Sequence, residues 1–239
     1  MPRGKLYGIG VGPGDPELLT IKAKKILEEV EVLFIPKSKQ ETRSLALSIV
    51  TQAVDKDWEC YELLLPMTKD QEILQQHWQE AARQITEVIN TGRDAAFITL
   101  GDPSLYSSLT YLLRSIGQIN PEIDVKIIPG VSSLNSVAAW IQQPLAEGDE
   151  SLLIIPAGRV SEDIGRLLDQ VDNIFLLKAG REVDKIRRLA EDQQTSGRVY
   201  LASRCGFPDG FYTTDLKSLD EQDFNYLTSL LIKKNRKEG

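Results

Sequence analysis

Short apolar runs alternate along this chain with longer segments whose apolar positions recur at helical spacing. The runs at 6–11, 30–36, 60–65, 95–99 and 125–128 read as strands. Between them, 21–29, 45–54, 71–90 and 105–113 read as helices, and a further helix runs from Ser132 or Ser133 to Ile141. Thr20 has the right chemistry to cap the first helix. Leu74, Trp78, Ala81, Ile85 and Val88 mark one face of the third, which Gly92 ends. Strands alternating with helices predict an α/β fold whose N-terminal half is a parallel five-stranded sheet with helices on both faces. The pattern breaks at 142–150, which contains Pro144 and Gly148, and the boundary is placed there: an N-terminal α/β domain at 1–142 and a C-terminal α/β domain at 143–239. Beyond the break, 152–156, 174–178 and 199–203 read as strands separated by helical stretches around 164–168 and 183–190. The runs at 210–214 and 226–232 have little helical material nearby, which predicts antiparallel pairing and a mixed C-terminal sheet with helices. The tail at 233–239 is expected to fray.

Three strand ends carry loops suited to one ligand: LYGIGVGPG at 6–14, LGDPSLYSS at 100–108 and VKIIPGVSS at 125–133. Ligands bind at the carboxyl ends of parallel strands because loops diverge there and helix N-termini present unpaired N–H groups. Gly101 would let a ligand approach the backbone, Asp102 can accept hydrogen bonds, and Pro103 stiffens the turn. The glycines of 8–14 invite a dinucleotide reading that fails on spacing, since Pro13 or Asp15 stands where the third glycine is required. No phosphate-binding G-x-x-x-x-G-K-[ST] occurs. The turn from Pro13 to Pro16 is expected to be rigid and non-helical.

Composition narrows the chemistry further. A net charge of −7 argues against a nucleic-acid partner. No apolar run is long enough to span a bilayer and no signal peptide is evident, so a cytoplasmic protein without membrane association is expected. Cys60 and Cys205 read as reduced thiols, and the single histidine, His77, reads as a plain helix position and leaves no multi-histidine metal site. Lys37, Lys39 and Arg43 follow the second predicted strand and open onto the sheet edge that carries the Gly101 loop.

In order and spacing, GIGVGPGDPELLT, LGDPSLYSS and PGVSS, with weaker matches at IFLLKAGR and SRCGFPDG, resemble the tetrapyrrole (corrin/porphyrin) methylases over essentially the whole chain. GDPSLYSS followed by PGVSSLNSVAA is most similar to the branch that methylates C-20 of precorrin-2 or cobalt-factor II in cobalamin biosynthesis. The resemblance implies a two-domain methylase with S-adenosyl-L-methionine folded in the cleft between domains, a tetrapyrrole substrate, a homodimer and no protein-bound metal. It implies cofactor contacts at Pro13, Gly101, Asp102, Leu105, Ser132 and Ser133, and in the second domain at Leu177 and Cys205. Leu177 also reads as plain core packing. Uroporphyrinogen methylases commonly carry a glycine pair before the Asp of the central loop, where this chain has Leu100-Gly101. Methyl transfer from a sulfonium needs alignment more than a catalytic cluster. The proton that then leaves carbon could pass to Asp102, Tyr106 or a water. Lys37, Lys39 and Arg43, with Arg159, Arg181 and Arg204, are candidates to meet the substrate's carboxylates. The competing readings are a relative acting at another ring position, one acting more distantly on RNA or a protein residue, and a non-catalytic ligand-binding protein of the same fold.

Overall fold

The computed structural model describes residues 3–38, 44–66, 68, 70–159, 164–182, 197–216 and 224–234. Cα packing divides the chain into units Met1–Ser133 and Leu134–Gly239, whereas the break in sequence pattern places the boundary after Gln142. In the first unit β1 (Lys5–Gly10), β2 (Val32–Lys37), β3 (Glu59–Leu64), β4 (Ala95–Thr99) and β5 (Asp124–Ile128) form a sheet in the order β3-β2-β4-β1-β5. Every neighbouring pair is parallel, as the strand–helix alternation predicts. β4, at the centre, is buried throughout, which is why it reads as an unbroken apolar run.

Helices α1 (Ile21–Glu29), α2 (Leu45–Ala53), α3 (Gln71–Asn90) and α4 (Leu109–Ile119) cover this sheet. Leu6, Phe34 and Phe97 pack on one face against Ala82, Ile85 and Ile89 of α3 and Leu112 and Ile116 of α4. Leu33, Ile35, Ala96 and Ile98 alternate to the other face, where right-handed crossovers bring α1 and α2 with buried Ala23, Leu27, Ile49 and Val50. Local chemistry sets the helix ends. Thr20 Oγ1 accepts from the Ala23 N–H at 3.2 Å, and Asp70 Oδ1 accepts from the N–H groups of Glu72 and Ile73 at 3.0 and 3.2 Å. Gly92, at φ 91°, follows the end of α3. β2 begins at Val32 because Val30 caps the end of α1, its N–H bonded to Ile26 O.

The topology has a switch point between β1 and β4. β1 sends its chain over β4 to β2, whereas β4 sends its chain past β1 to β5, so the connections diverge between two adjacent strands. β2 pairs with β3 out to Lys37 but with β4 only through Phe34, so Pro36 lies beyond the stretch where β4 needs its N–H.

In the second unit β6 (Leu152–Pro156), β7 (Asn173–Leu177), β8 (Gly197–Ser203), β9 (Phe211–Thr213) and β10 (Thr228–Lys234) form a sheet ordered β6-β7-β10-β8-β9. Only β6 and β7 are parallel; the other pairs are antiparallel, giving the expected mixed sheet. Ile174, Leu176, Leu201, Leu230 and Ile232 form its core with Leu168 of α6 (Ile164–Gln170). α5 (Ser133–Trp140) starts where the Ser pair predicts, and the helix expected at 183–190 lies outside the described residues. Among the described residues no helix is long and apolar enough to cross a membrane.

Candidate ligand site at the strand ends

The three glycine-bearing loops meet at the carboxyl ends of β1, β4 and β5. Gly12 and Gly101 form an isolated antiparallel bridge, with Gly101 N–H donating to Gly12 O at 2.8 Å and Gly12 N–H to Gly101 O at 3.4 Å. Both sit at positive φ, 85° and 67°. A Cβ on Gly10 would stand 2.5 Å from Gly101 O and 2.8 Å from Gly130 N, and one on Gly130 would stand 2.4 Å from Gly101 O. The backbones therefore touch at a point only glycine can fill. A Cβ on Gly101, in contrast, would meet nothing nearer than Ser132 Cα and Ser133 N at 3.9 Å. Space beside a strand-end glycine, bounded by a buried Ser132 and the start of α5, fits a ligand that lies against backbone.

Asp102 ties the loops together. Its Oδ2 accepts from Gly130 N–H at 3.0 Å, and its Oδ1 accepts from Ser104 N–H at 2.8 Å and from the Ser104 hydroxyl. Burial pushes the carboxyl up, but these hydrogen bonds outweigh it and hold the group below its ordinary value. The helical spacing from 105 is not all helix: α4 begins at Leu109, with Tyr106 held at φ 50°. Buried Thr99 and Ser107 share a hydroxyl–hydroxyl contact of 3.1 Å, and Ser107 Oγ accepts from Leu109 N–H at 3.2 Å. Side-chain hydrogen bonds of this kind offer the backbone an alternative to helix. The turn from Pro13 is non-helical through Asp15, as expected, and a short 3-10 turn then begins at Pro16 and runs to Leu18, capped by Asp15 through Glu17 N–H at 2.8 Å.

The structure brings Gly101, Asp102, Ser132 and Ser133 together, with Leu105 in the Asp102 turn and buried Pro13 following the Gly12 bridge. Lys37 stands at the end of β2, paired with Glu62 Oε2 of β3 at 2.8 Å. Lys39 and Arg43 lie outside the described residues. In the second unit, Leu177 closes β7 and is buried, on the opposite face from Ile174 and Leu176. Cys205, just past β8, is buried with its sulfur 3.2 Å from Ser136 Oγ, while Cys60 is exposed. Arg159 is exposed at the turn after β6. Arg204 pairs with Asp209 at 2.6 Å. Among the described residues no group of three or more His, Cys, Asp or Glu is placed to hold a metal ion. Sequence reasoning missed the structural need for Gly10 and Gly130, the Thr99–Ser107 pair and the Lys37–Glu62 pair. The glycines stand in the quoted motifs, but the partners that make them necessary come from other strands.

Comparison with known proteins agrees with this arrangement. The family model described as Tetrapyrrole (Corrin/Porphyrin) Methylases matches residues 5–220. The chain is 36% identical over 236 residues to a probable cobalt-precorrin-2 C(20)-methyltransferase of Methanocaldococcus jannaschii, covering 96% of each protein. It is 32% identical over 232 residues to the cobalt-precorrin-2 C(20)-methyltransferase of Salmonella typhimurium, covering 97% of each. In fold it is similar to a uroporphyrin-III C-methyl transferase from Thermus thermophilus complexed with S-adenyl homocysteine, with a TM-score of 0.66 at 17% identity over 96% of this chain and 92% of that one.

Proposed function

This chain belongs to the tetrapyrrole (corrin/porphyrin) methylases, and from that premise we propose that it transfers a methyl group from S-adenosylmethionine to C-20 of precorrin-2 or its cobalt form in cobalamin biosynthesis. The observation that carries the reading is identity above 30% along nearly the whole chain to two proteins named for that reaction. The fused strand-end loops support it, because they leave room beside Gly101 and Ser132 for a ligand pressed against backbone.

Pro13, Gly101, Asp102, Leu105, Ser132 and Ser133 would hold the cofactor from the first unit, and Leu177 and Cys205 from the second. Bound S-adenosylmethionine supplies an electrophilic methyl on a sulfonium, a good leaving group. The residues' task is alignment, since fixing donor and acceptor within reach removes much of the entropic cost of a bimolecular step. Asp102, Tyr106 or a water are the candidates to take the proton released from the methylated carbon, and the hydrogen bonds that favour the ionised form of Asp102 make it a weaker base than an ordinary carboxylate. Lys37, with Lys39 and Arg43, would meet carboxylates of the macrocycle. The working form is proposed to be a cytoplasmic homodimer, which sedimentation of the purified protein would check.

The deciding experiment is calorimetric titration with S-adenosylhomocysteine, followed by methylation assays on precorrin-2, cobalt-precorrin-2 and other tetrapyrroles with the product's methyl position read by NMR. Transfer to C-20 is expected. Transfer to another ring carbon would assign the enzyme to a different step, and binding without transfer to any tetrapyrrole would favour a non-catalytic role.

A further inference from the structure

β7 and β8 run parallel on either side of β10, so both end at one edge of the second sheet. Leu176 and Leu201 face the same residue, Leu230, which puts Lys178 and Arg204 level to within one residue and roughly 10 Å apart. Both stand directly beyond their strands, and both are in the left-handed region, at φ 58° and 52°. Positive φ is uncommon for any residue with a Cβ, and it persists only where the surroundings impose it.

The surroundings here are a hydrogen-bonded platform. Fully buried Ser203 accepts at its Oγ from Asn225 Nδ2 at 3.3 Å and from Thr228 Oγ1 at 3.2 Å. Leu227 N–H donates to Asn225 Oδ1 at 2.8 Å, closing the turn that displays Tyr226, half exposed. A Cβ on Gly180 would lie 2.1 Å from Asn225 O, so the turn after Lys178 is pressed against that platform. Lys178 is thereby delivered over the Tyr226 ring, its Nζ 5.2 Å from the centroid.

The two cations differ in what neutralises them. Arg204 lies over Phe207 and pairs with Asp209. Lys178 has no carboxylate partner among the described residues and meets only the π-face of Tyr226. An ammonium has three donors, and a ring face occupies one side of it. In a chain of net charge −7, a cation held on a ring face without an acidic partner among the described residues is chemically suited to receive an anion.

We propose that Lys178, seated over Tyr226, anchors a carboxylate side chain of the tetrapyrrole and so sets the orientation in which the macrocycle is presented. This deepens the methyltransferase reading above and rests on it. The acetate and propionate groups of such a substrate supply the anion, and a charge-assisted contact to one of them would fix which edge of the ring faces the donor.

The test compares wild type with Lys178→Gln, Lys178→Arg and Tyr226→Leu. Gln is polar and uncharged, ends one bond short of the ammonium and faces the same left-handed backbone, so the charge is the main loss, and Lys178→Arg separates charge from reach. Lys178→Gln should raise KM for cobalt-precorrin-2 about tenfold or more at low ionic strength, with kcat nearly unchanged and a smaller effect at high salt. Lys178→Arg should restore most of the affinity, and Tyr226→Leu should weaken it less than the loss of charge does. S-adenosylhomocysteine affinity, read by calorimetry, should be unaltered in all three. An unchanged KM in Lys178→Gln overturns the anchor, as does a loss of S-adenosylhomocysteine affinity, which would make Lys178 a cofactor contact. If Lys178→Gln does not fold, Tyr226→Leu and the salt dependence of the wild-type KM decide, and absence of both effects overturns it. A wild type that methylates normally while these variants match it removes the anchor alone; a wild type that methylates no tetrapyrrole removes the function and the anchor together.

Discussion

The glycines and Asp102 carry the sharpest expectations at the residue scale. Gly130→Ala forces a Cβ to within 2.4 Å of Gly101 O and 2.7 Å of Gly10 O, contacts between backbones that cannot turn aside. Overpacking of this sort costs about 1–3 kcal/mol, to be read by urea unfolding, and it should also lower S-adenosylhomocysteine affinity because the three loops move apart. Gly117 in α4 is the control: nothing lies within 4 Å of its Cβ, so Gly117→Ala should stabilise by about 0.4–1 kcal/mol and leave ligand affinity alone. Gly101→Val is less informative, since φ 67° strains a branched residue whether or not a ligand is near. Asp102→Asn turns an acceptor facing Gly130 N–H into an amide that can satisfy only one of its two sides. Because the folded-state carboxyl is held below its unfolded value, its stabilisation is complete above the unfolded value and is lost as pH falls through the folded one. The stability gap between wild type and Asp102→Asn should therefore be constant near neutrality and narrow under acid conditions, below the ordinary carboxylate value of about 3.9. A gap that widens on acidification would contradict the assignment.

At the element scale, β2 and β3 decide what Lys37 can do. The strands pair in parallel out to Lys37, and Glu62 of the edge strand captures its ammonium at 2.8 Å. A substrate carboxylate must compete with that pair. Such partly exposed pairs are worth about 0–1 kcal/mol, so Glu62→Gln should lower KM for the tetrapyrrole by up to about fivefold if Lys37 is a substrate contact. A KM that stays the same or rises in steady-state assays would return Lys37 to a surface role. The loop before α4 illustrates a second effect of element packing. Its apolar spacing reads as helix from 105, yet Thr99 at the end of β4 and Asp102 hold 102–108 in a turn through Ser107 and Ser104. The helix begins only where those side chains have been used, and Leu109, its first residue, fills the space over Gly8 of β1.

At the scale of the whole molecule the chain is two units with separate cores, one built on Phe34 and Phe97 and the other on Ile174 and Leu230. A ligand that binds only the folded protein stabilises it by about 2.7 kcal/mol at a hundred times its Kd. For a chain of this size that raises Tm by roughly 5–10 °C, so S-adenosylhomocysteine should give a concentration-dependent shift in scanning calorimetry that Gly130→Ala loses. No shift in the wild type would count against cofactor binding. Much of the architecture was legible in the amino-acid order, because strand and helix periods are local properties and caps such as Thr20 and Asp70 act within a few residues. The parallel sheet, the mixed second sheet and the glycine loops at the strand ends all follow from patterns that one segment can carry, and the order of the motifs pointed to the family. What no segment carries is the identity of its neighbours. Strand order placed Gly10, Gly101 and Gly130 in mutual contact, gave Lys37 its carboxylate, and set Lys178 over a tyrosine from a distant turn. Those contacts, and the left-handed backbone at Lys178 and Arg204, exist because long-range pairing imposes them on chains whose local preference is otherwise.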